Sequence, residues 1–158
     1  YLLAQNNEKQ FVAPNQALRE NVRTYLSQYR ILTDAINIKT AYIVNVQLEG
    51  EVIPQPSYNS NEVLLRCIER LKTVLHADRM QINGPLDTNA LMGELNAVDG
   101  VQSVPKLEFT NKIGGRYANN IYDIAAATKN GIIYPSLDPM IFEVKYQNVD
   151  IKMRAIKP

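Results

Sequence analysis

One histidine, His76, stands in this chain of 158 residues, and it limits the reactions the sequence can offer. A Ser-His-Asp set would have to recruit that single imidazole, and no serine lies in a G-x-S-x-G elbow. No second histidine or cysteine lies nearby to share a metal. At the end of a predicted helix His76 gains from the helix C-terminal dipole, so a structural or surface role is expected for it. Paired carboxylates can run hydrolysis, and Asp123, Asp138, Glu143 and Asp150 all fall in the last third of the chain. No motif brings them together, and Asp138 before Pro139 suits a turn. A hydrolase built on them would show pH- or metal-dependent activity that Asp123→Asn removes; solvated or turn-capping roles are the expected ones. Gly114-Gly115-Arg116 is too short for a phosphate cradle and reads as a hairpin or loop hinge. Lys152, Arg154 and Lys157 could touch phosphates, but three charges in a terminal strand are expected to be solvated. The expectation is therefore no catalytic residue, no metal and no cofactor.

Composition narrows the classes further. Hydrophobic residues make up 46% and charged residues 21% of the chain, and 158 residues are enough for one domain with a real core. A formal net charge of +1, with lysines and arginines scattered among acids, argues against a nucleic-acid partner. No apolar run approaches a membrane span, and no membrane partner is expected. The single cysteine, Cys67, forbids an intramolecular disulfide and is expected to be a buried, reduced thiol. The chain opens at Tyr1 without a methionine and reads as a segment of a longer protein. Nine tyrosines against no tryptophan is the one oddity. Tyr42, Tyr117, Tyr122, Tyr134 and Tyr146 could anchor an interface, or could equally be sheet and core residues.

The elements that must position these groups follow from periodicity. Residues 1–14 read as a tail from a preceding domain. Asn15 opens a helix whose stripe is Leu18, Val22, Tyr25, Leu26 and Tyr29. Ile36 and Ile38 suggest a short strand. Ala41–Ile53 alternates strictly, with Tyr42, Val44, Val46, Leu48 and Val52 on one side and Asn45, Gln47, Glu49 and Glu51 on the other. At about 3.3 Å per residue it would span roughly 43 Å, far beyond an ordinary strand, with its polar face free to meet water or another subunit. Asn59 caps a second helix, with Glu62 placed for a capping box. Its apolar face is Val63, Leu64, Cys67, Ile68, Leu71, Val74 and Leu75. Met80–Ile82 reads as a short strand and Asn83-Gly84-Pro85 as a turn. Asp87 caps a third helix, Leu86 is placed to staple against Leu91, and Gly100 supplies the stop. Leu107 and Phe109 lie in a strand ending near Gly114. Residues 116–130 fit either a strand or a helix. Phe142, Val144 and Tyr146 alternate as a last strand, and 151–158 is a tail or an edge strand. Strands with intervening helices on one side predict an α+β domain over 15–150: a two-layer sandwich of a mixed, mostly antiparallel sheet with helices packed on one face.

The ordered set resembles a known family. The run Leu18–Val52, L-R-E-N-V-R-T-Y-L-S-Q-Y-R-I-L-T-D-A-I-N-I-K-T-A-Y-I-V-N-V-Q-L-E-G-E-V, is similar to the baseplate J family of contractile-tail phages, where a helix leads through an arginine and a threonine into a short and then a long strand. Arg30, Thr33, Ile36, Ile38, Tyr42, Val44 and Val46 fit that pattern. The helix over 62–75, then Leu91–Val98 followed by G-V-Q-S-V, continue it. Y-P-S-L-D-P-M-I-F-E-V-K-Y (Tyr134–Tyr146) is similar to the C-terminal ending of wedge subunits of T4-like phages. The likeness covers most of 15–150. It implies a structural baseplate component in the virion, assembled in the host cytoplasm. It also implies a homodimer or ring of identical subunits, contacts to other wedge proteins, and no catalytic residue or cofactor. Tyrosine density around glycine and proline turns places the expected subunit contacts on Arg116, Tyr117, Asn119, Tyr122, Tyr134 and Phe142, all taken as exposed. The alternative is a small-molecule-binding or regulatory α/β module of a longer soluble protein.

Overall fold

A computed structural model describes residues 1–29, 31, 35–136 and 138–158. The chain begins with a hairpin of β1 (Ala4–Gln5) and β2 (Phe11–Val12), then helix α1 (Gln16–Ser27) and the long strand β3 (Tyr42–Pro54). Helix α2 (Ser60–Val74), a 3-10 turn (Ala77–Arg79), β4 (Leu86–Asp87) and helix α3 (Thr88–Asn96) follow. Next come β5 (Val101–Asn111), the single turn α4 (Ile124–Ala127) and the hairpin β6 (Thr128–Lys129) and β7 (Ile132–Ile133). The chain closes with β8 (Met140–Glu143), the single turn α5 (Gln147–Asp150) and β9 (Ile151–Ala155).

This is an α+β domain with a mixed sheet, centred on β3. β5 pairs antiparallel with one edge of β3, from Val46↔Asn111 to Pro54↔Val101. The other edge is shared by two short strands, both parallel to β3: β8 along Tyr42–Asn45 and β9 along Leu48–Val52. Between them residues 144–150 leave the ladder and return through α5. The length of β3 is thus used to seat two consecutive partners on one side. A second small sheet joins β4, β7 and β6.

Helices α2 and α3 cover the face carrying Val46, Leu48, Val52, Leu107, Phe109 and Ile151, and α2 lies against β9 while α3 lies against β5. Their sequences explain why they form. Asn59 accepts from the Asn61 amide at 2.9 Å, and Asp87 accepts from the Ala90 amide at 3.0 Å, each satisfying an orphan N–H of the first turn. Val63, Cys67 and Leu71 recur at helical spacing and are fully buried. At roughly 1.5–3 kcal/mol per fully buried large side chain, this stripe outweighs the surface pairs Glu62–Arg66 (3.9 Å) and Glu69–Lys72 (3.0 Å). Gly100 ends the segment at φ +92°, where an added Cβ would stand 2.7 Å from the Tyr58 ring.

Several expectations are corrected. Ile36–Ile38 is not a strand, and Met80–Ile82 runs from the 3-10 turn into a second turn, closed by the Gly84 amide on the Gln81 carbonyl (2.9 Å), rather than forming one. The stretch left open over 116–130 divides: Asp123 caps α4, and a two-residue turn at Asn130-Gly131 joins β6 to β7. The polar side of β3 meets water only in its second half. Glu49 is exposed, whereas Asn45 and Gln47 are buried, at 1% and 6% exposure. The stripe of α1 is covered only at its start: Leu18 and Val22 are half-buried, the helix has no fully buried residue, and Tyr25, Leu26 and Tyr29 are exposed. Residues 1–14 lie against the domain, through Leu2 N–H to the Lys39 carbonyl (2.8 Å) and Phe11 N–H to Glu143 Oε1 (2.6 Å). Arg30 and Thr33, two positions of the family-like pattern, and Leu137 of the late turn lie outside the described residues.

Candidate interaction surface

The loop after β5 and the strands after it hold the expected contact residues, and the fold sorts them into surface and support. Asn111 begins the loop's anchoring: its Nδ2 donates to the Asn45 carbonyl (3.0 Å), and its Oδ1 accepts from the Tyr122 amide (2.9 Å). Positive φ at Gly114 and Gly115 lets the chain double back, and Asn119 Oδ1 accepts from the Gly114 amide at 3.2 Å. Asn45 Oδ1 then accepts from the Ala118 amide at 2.8 Å, tying the loop to the first part of β3. Arg116 and Asn119 are exposed as expected, and the Arg116 carbonyl accepts from Lys145 Nζ.

Tyr117 and Tyr122 are only half-exposed. The Tyr117 hydroxyl donates to the fully buried Asp150 carboxylate (2.6 Å), and its ring meets Tyr146 edge-on at 5.5 Å. Burial first, and the bond to Asp150 second, push the Tyr117 hydroxyl up to about 12. Tyr122 donates its hydroxyl to the Tyr134 carbonyl and stands edge-on to Phe142 at 5.6 Å; burial raises its pKa as well. Phe142 is not a contact residue. At 2% exposure it is core, because β8 is flanked by β3 on one side and covered on both faces. Tyr134 is on the surface, 45% exposed.

Of these positions only Asn119 and Tyr122 line a groove of about 440 Å³ at the start of β3, together with Tyr42, Ile121 and Met140; Arg116, Tyr117, Tyr134 and Phe142 do not line it. Ile121 is 81% exposed and Tyr42 56%. Sequence reading missed Ile121, which sits in no periodic element and so carries no pattern to flag it. A second exposed apolar set lies on and just after α1: Tyr25, Leu26, Tyr29 and Ile31, with Tyr25 and Tyr29 in ring contact at 5.3 Å.

The groups with reactive potential are dispersed into structural work. His76 Nδ1 accepts from the Asp78 amide at 3.3 Å and caps the 3-10 turn. Asp123 caps α4 at 3.0 Å, and the Asp138 carbonyl accepts from Ser136 Oγ. Arg154 pairs with Glu51 on the open sheet face. Glu143, 3% exposed, accepts from Phe11 N–H and Asn45 Nδ2; burial raises its pKa, opposed by those two donors and the nearby Lys145 charge. Burial lifts the Cys67 thiol to about 11. Among the described residues no three His, Cys, Asp or Glu side chains are grouped to hold a metal ion, and no helix is long and apolar enough to cross a membrane.

The fold and this surface define an α+β domain that presents an aromatic-rimmed groove and an uncovered helix face. No family model matches the chain, and no curated protein matches it in sequence.

Proposed function

We propose that this chain is a structural component of a contractile-tail phage baseplate, of the baseplate J kind and nearest to the wedge subunits of T4-like phages. It acts mechanically: contacts passed from wedge to wedge around the hub carry the rearrangement that triggers sheath contraction. Its partners are identical subunits, in a dimer or ring, and other wedge proteins, with no nucleic acid or membrane. It works in the virion, without catalytic residue or cofactor. The observation that carries this reading is the exposure of large apolar side chains in two sets, Tyr25, Leu26, Tyr29 and Ile31 in one and Tyr42 and Ile121 at the groove in the other, since contact surfaces are where aromatic residues remain uncovered. The ordered likeness over 15–150 supplies the kind of assembly. Within the earlier set of contact residues, Arg116, Asn119 and Tyr134 offer surface, while Tyr117 and Tyr122 hold that surface in place.

Light scattering after size exclusion, across a concentration series, tests it. A dimer or larger ring is expected at high concentration, and Ile121→Ser with Tyr134→Ser should weaken it at least about tenfold, the effect of about 1.4 kcal/mol. A strict monomer at every concentration, with wedge proteins failing to bind, would count against the reading. The binding-module alternative draws on a separate cavity of about 340 Å³ beside the Glu8-Lys9 tip, within the range of small-molecule sites. It predicts a saturable ligand on the monomer.

A further inference from the structure

The buried polar cluster under the N-terminal hairpin has a donor–acceptor arrangement that suits an ionised Glu143. Asn45 Oδ1 is committed to the Ala118 amide (2.8 Å), so its Nδ2 must face Glu143, and it donates to Oε2 at 2.7 Å. The other oxygen, Oε1, receives the Phe11 amide at 2.6 Å. Both partners of Glu143 are donors, an arrangement that suits the acceptor-only carboxylate. A carboxamide would set its NH2 group against one of the two N–H groups.

Beyond that bond the segment that supplies Phe11 is tied by its first residues, Leu2 N–H donating to the Lys39 carbonyl (2.8 Å) in a bridge to Thr40. β1 and β2 pair with each other, two residues against two, and a hairpin of that size is marginal in water. Its turn is organised internally, by Asn6 Oδ1 accepting from Glu8 and Gln10 amides. Leu2, Leu3, Phe11 and Val12 are at most partly buried, and none belongs to the core cluster. Its tip, Glu8 and Lys9, forms one wall of the cavity of about 340 Å³ whose opposite walls are His76, Glu143 and Lys145.

We infer that residues 1–13 are a releasable strap, latched by the Glu143 carboxylate to the Phe11 amide, that opens as a unit over this cavity while the sheet stays folded. The physical asymmetry favours that behaviour. The strap contributes no side chain to the core cluster, and on opening water solvates the uncovered carboxylate, whereas opening the sheet would expose β3. The strap is independent of the assembly proposed above and holds for either function.

Hydrogen exchange by mass spectrometry on the full chain, with trypsin cleavage after Lys9 as a second readout, tests the latch. In the wild-type chain the strap amides should exchange together, and faster than those of Val46 and Leu48 in β3. Glu143→Gln places a donor in the cluster, and Phe11→Pro removes the strap's N–H while leaving Glu143 intact. Each should speed strap exchange and Lys9 cleavage by about 10- to 100-fold, the value of a hydrogen bond to a charged group, with β3 protection unchanged. Should Glu143→Gln loosen β3 as well, Phe11→Pro alone decides. Strap amides that exchange at the rate of β3, or a Phe11→Pro chain whose strap exchanges as in the wild type, would overturn the inference.

Discussion

Replacing Tyr117 by phenylalanine removes one oxygen atom and leaves Asp150 the test of how the loop after β5 is held. Asp150 is fully buried, and its carboxylate accepts from two groups: the Tyr117 hydroxyl on Oδ1 at 2.6 Å and the Tyr146 amide on Oδ2 at 3.2 Å. The ring contact with Tyr146 at 5.5 Å survives in the variant, so packing changes little. What is lost is a short hydrogen bond to a charged group with no water ready to replace it, a cost of about 1.5–3 kcal/mol. For a domain of this size each kcal/mol moves Tm by about 2–4 °C, so the midpoint should fall by about 3–12 °C. Urea unfolding should report the same energy through a lower midpoint at unchanged slope. The hydroxyl has a pH signature too. Its folded pKa, about 12, lies above the ordinary tyrosine value of 10.0, so its contribution is intact below pH 10 and fades between 10 and 12 as the unfolded chain ionises first. The phenylalanine variant should lose that part of the alkaline decline. A change below about 0.5 kcal/mol, the scatter of ordinary surface substitutions, would mean that water reaches Asp150 and that the loop does not close over it.

Other outcomes follow from the packing. Leu71→Ala, at a fully buried position of α2, should cost about 2–5 kcal/mol in urea unfolding, while Leu65→Ala on the exposed side should stay within about 0.5 kcal/mol. Gly100→Ala combines positive φ with a Cβ driven against Tyr58 and Val63, and should destabilise by about 1–3 kcal/mol, read as a lowered Tm. Cys67 should be inert to a thiol reagent at pH 8 in the folded chain and react fully in urea, because burial disfavours its thiolate; fast labelling without denaturant would contradict the packing of α2.

Local signals were legible in the amino-acid sequence alone. Asn15, Asn59 and Asp87 cap their helices where side-chain chemistry says they should, because an N-cap needs only a short polar group and the amides two or three residues ahead. The alternation of β3 and the buried stripes of α2 and α3 were likewise local, and with them came the α+β class. Burial was not local. Asn45 reads as a solvent-facing strand residue, yet it is buried because Ala118, 73 residues away, closes over it, and because Glu143 comes in on a strand parallel to β3. Tyrosine density near turns points to Phe142 as a contact, but that signal does not say that both faces of β8 are covered. The stripe of α1 makes the complementary case: Tyr25, Leu26 and Tyr29 have the spacing of a core face, yet among the described residues nothing buries them. Spacing along a chain records which side chains share a face; only the return of distant segments decides whether that face meets protein or water.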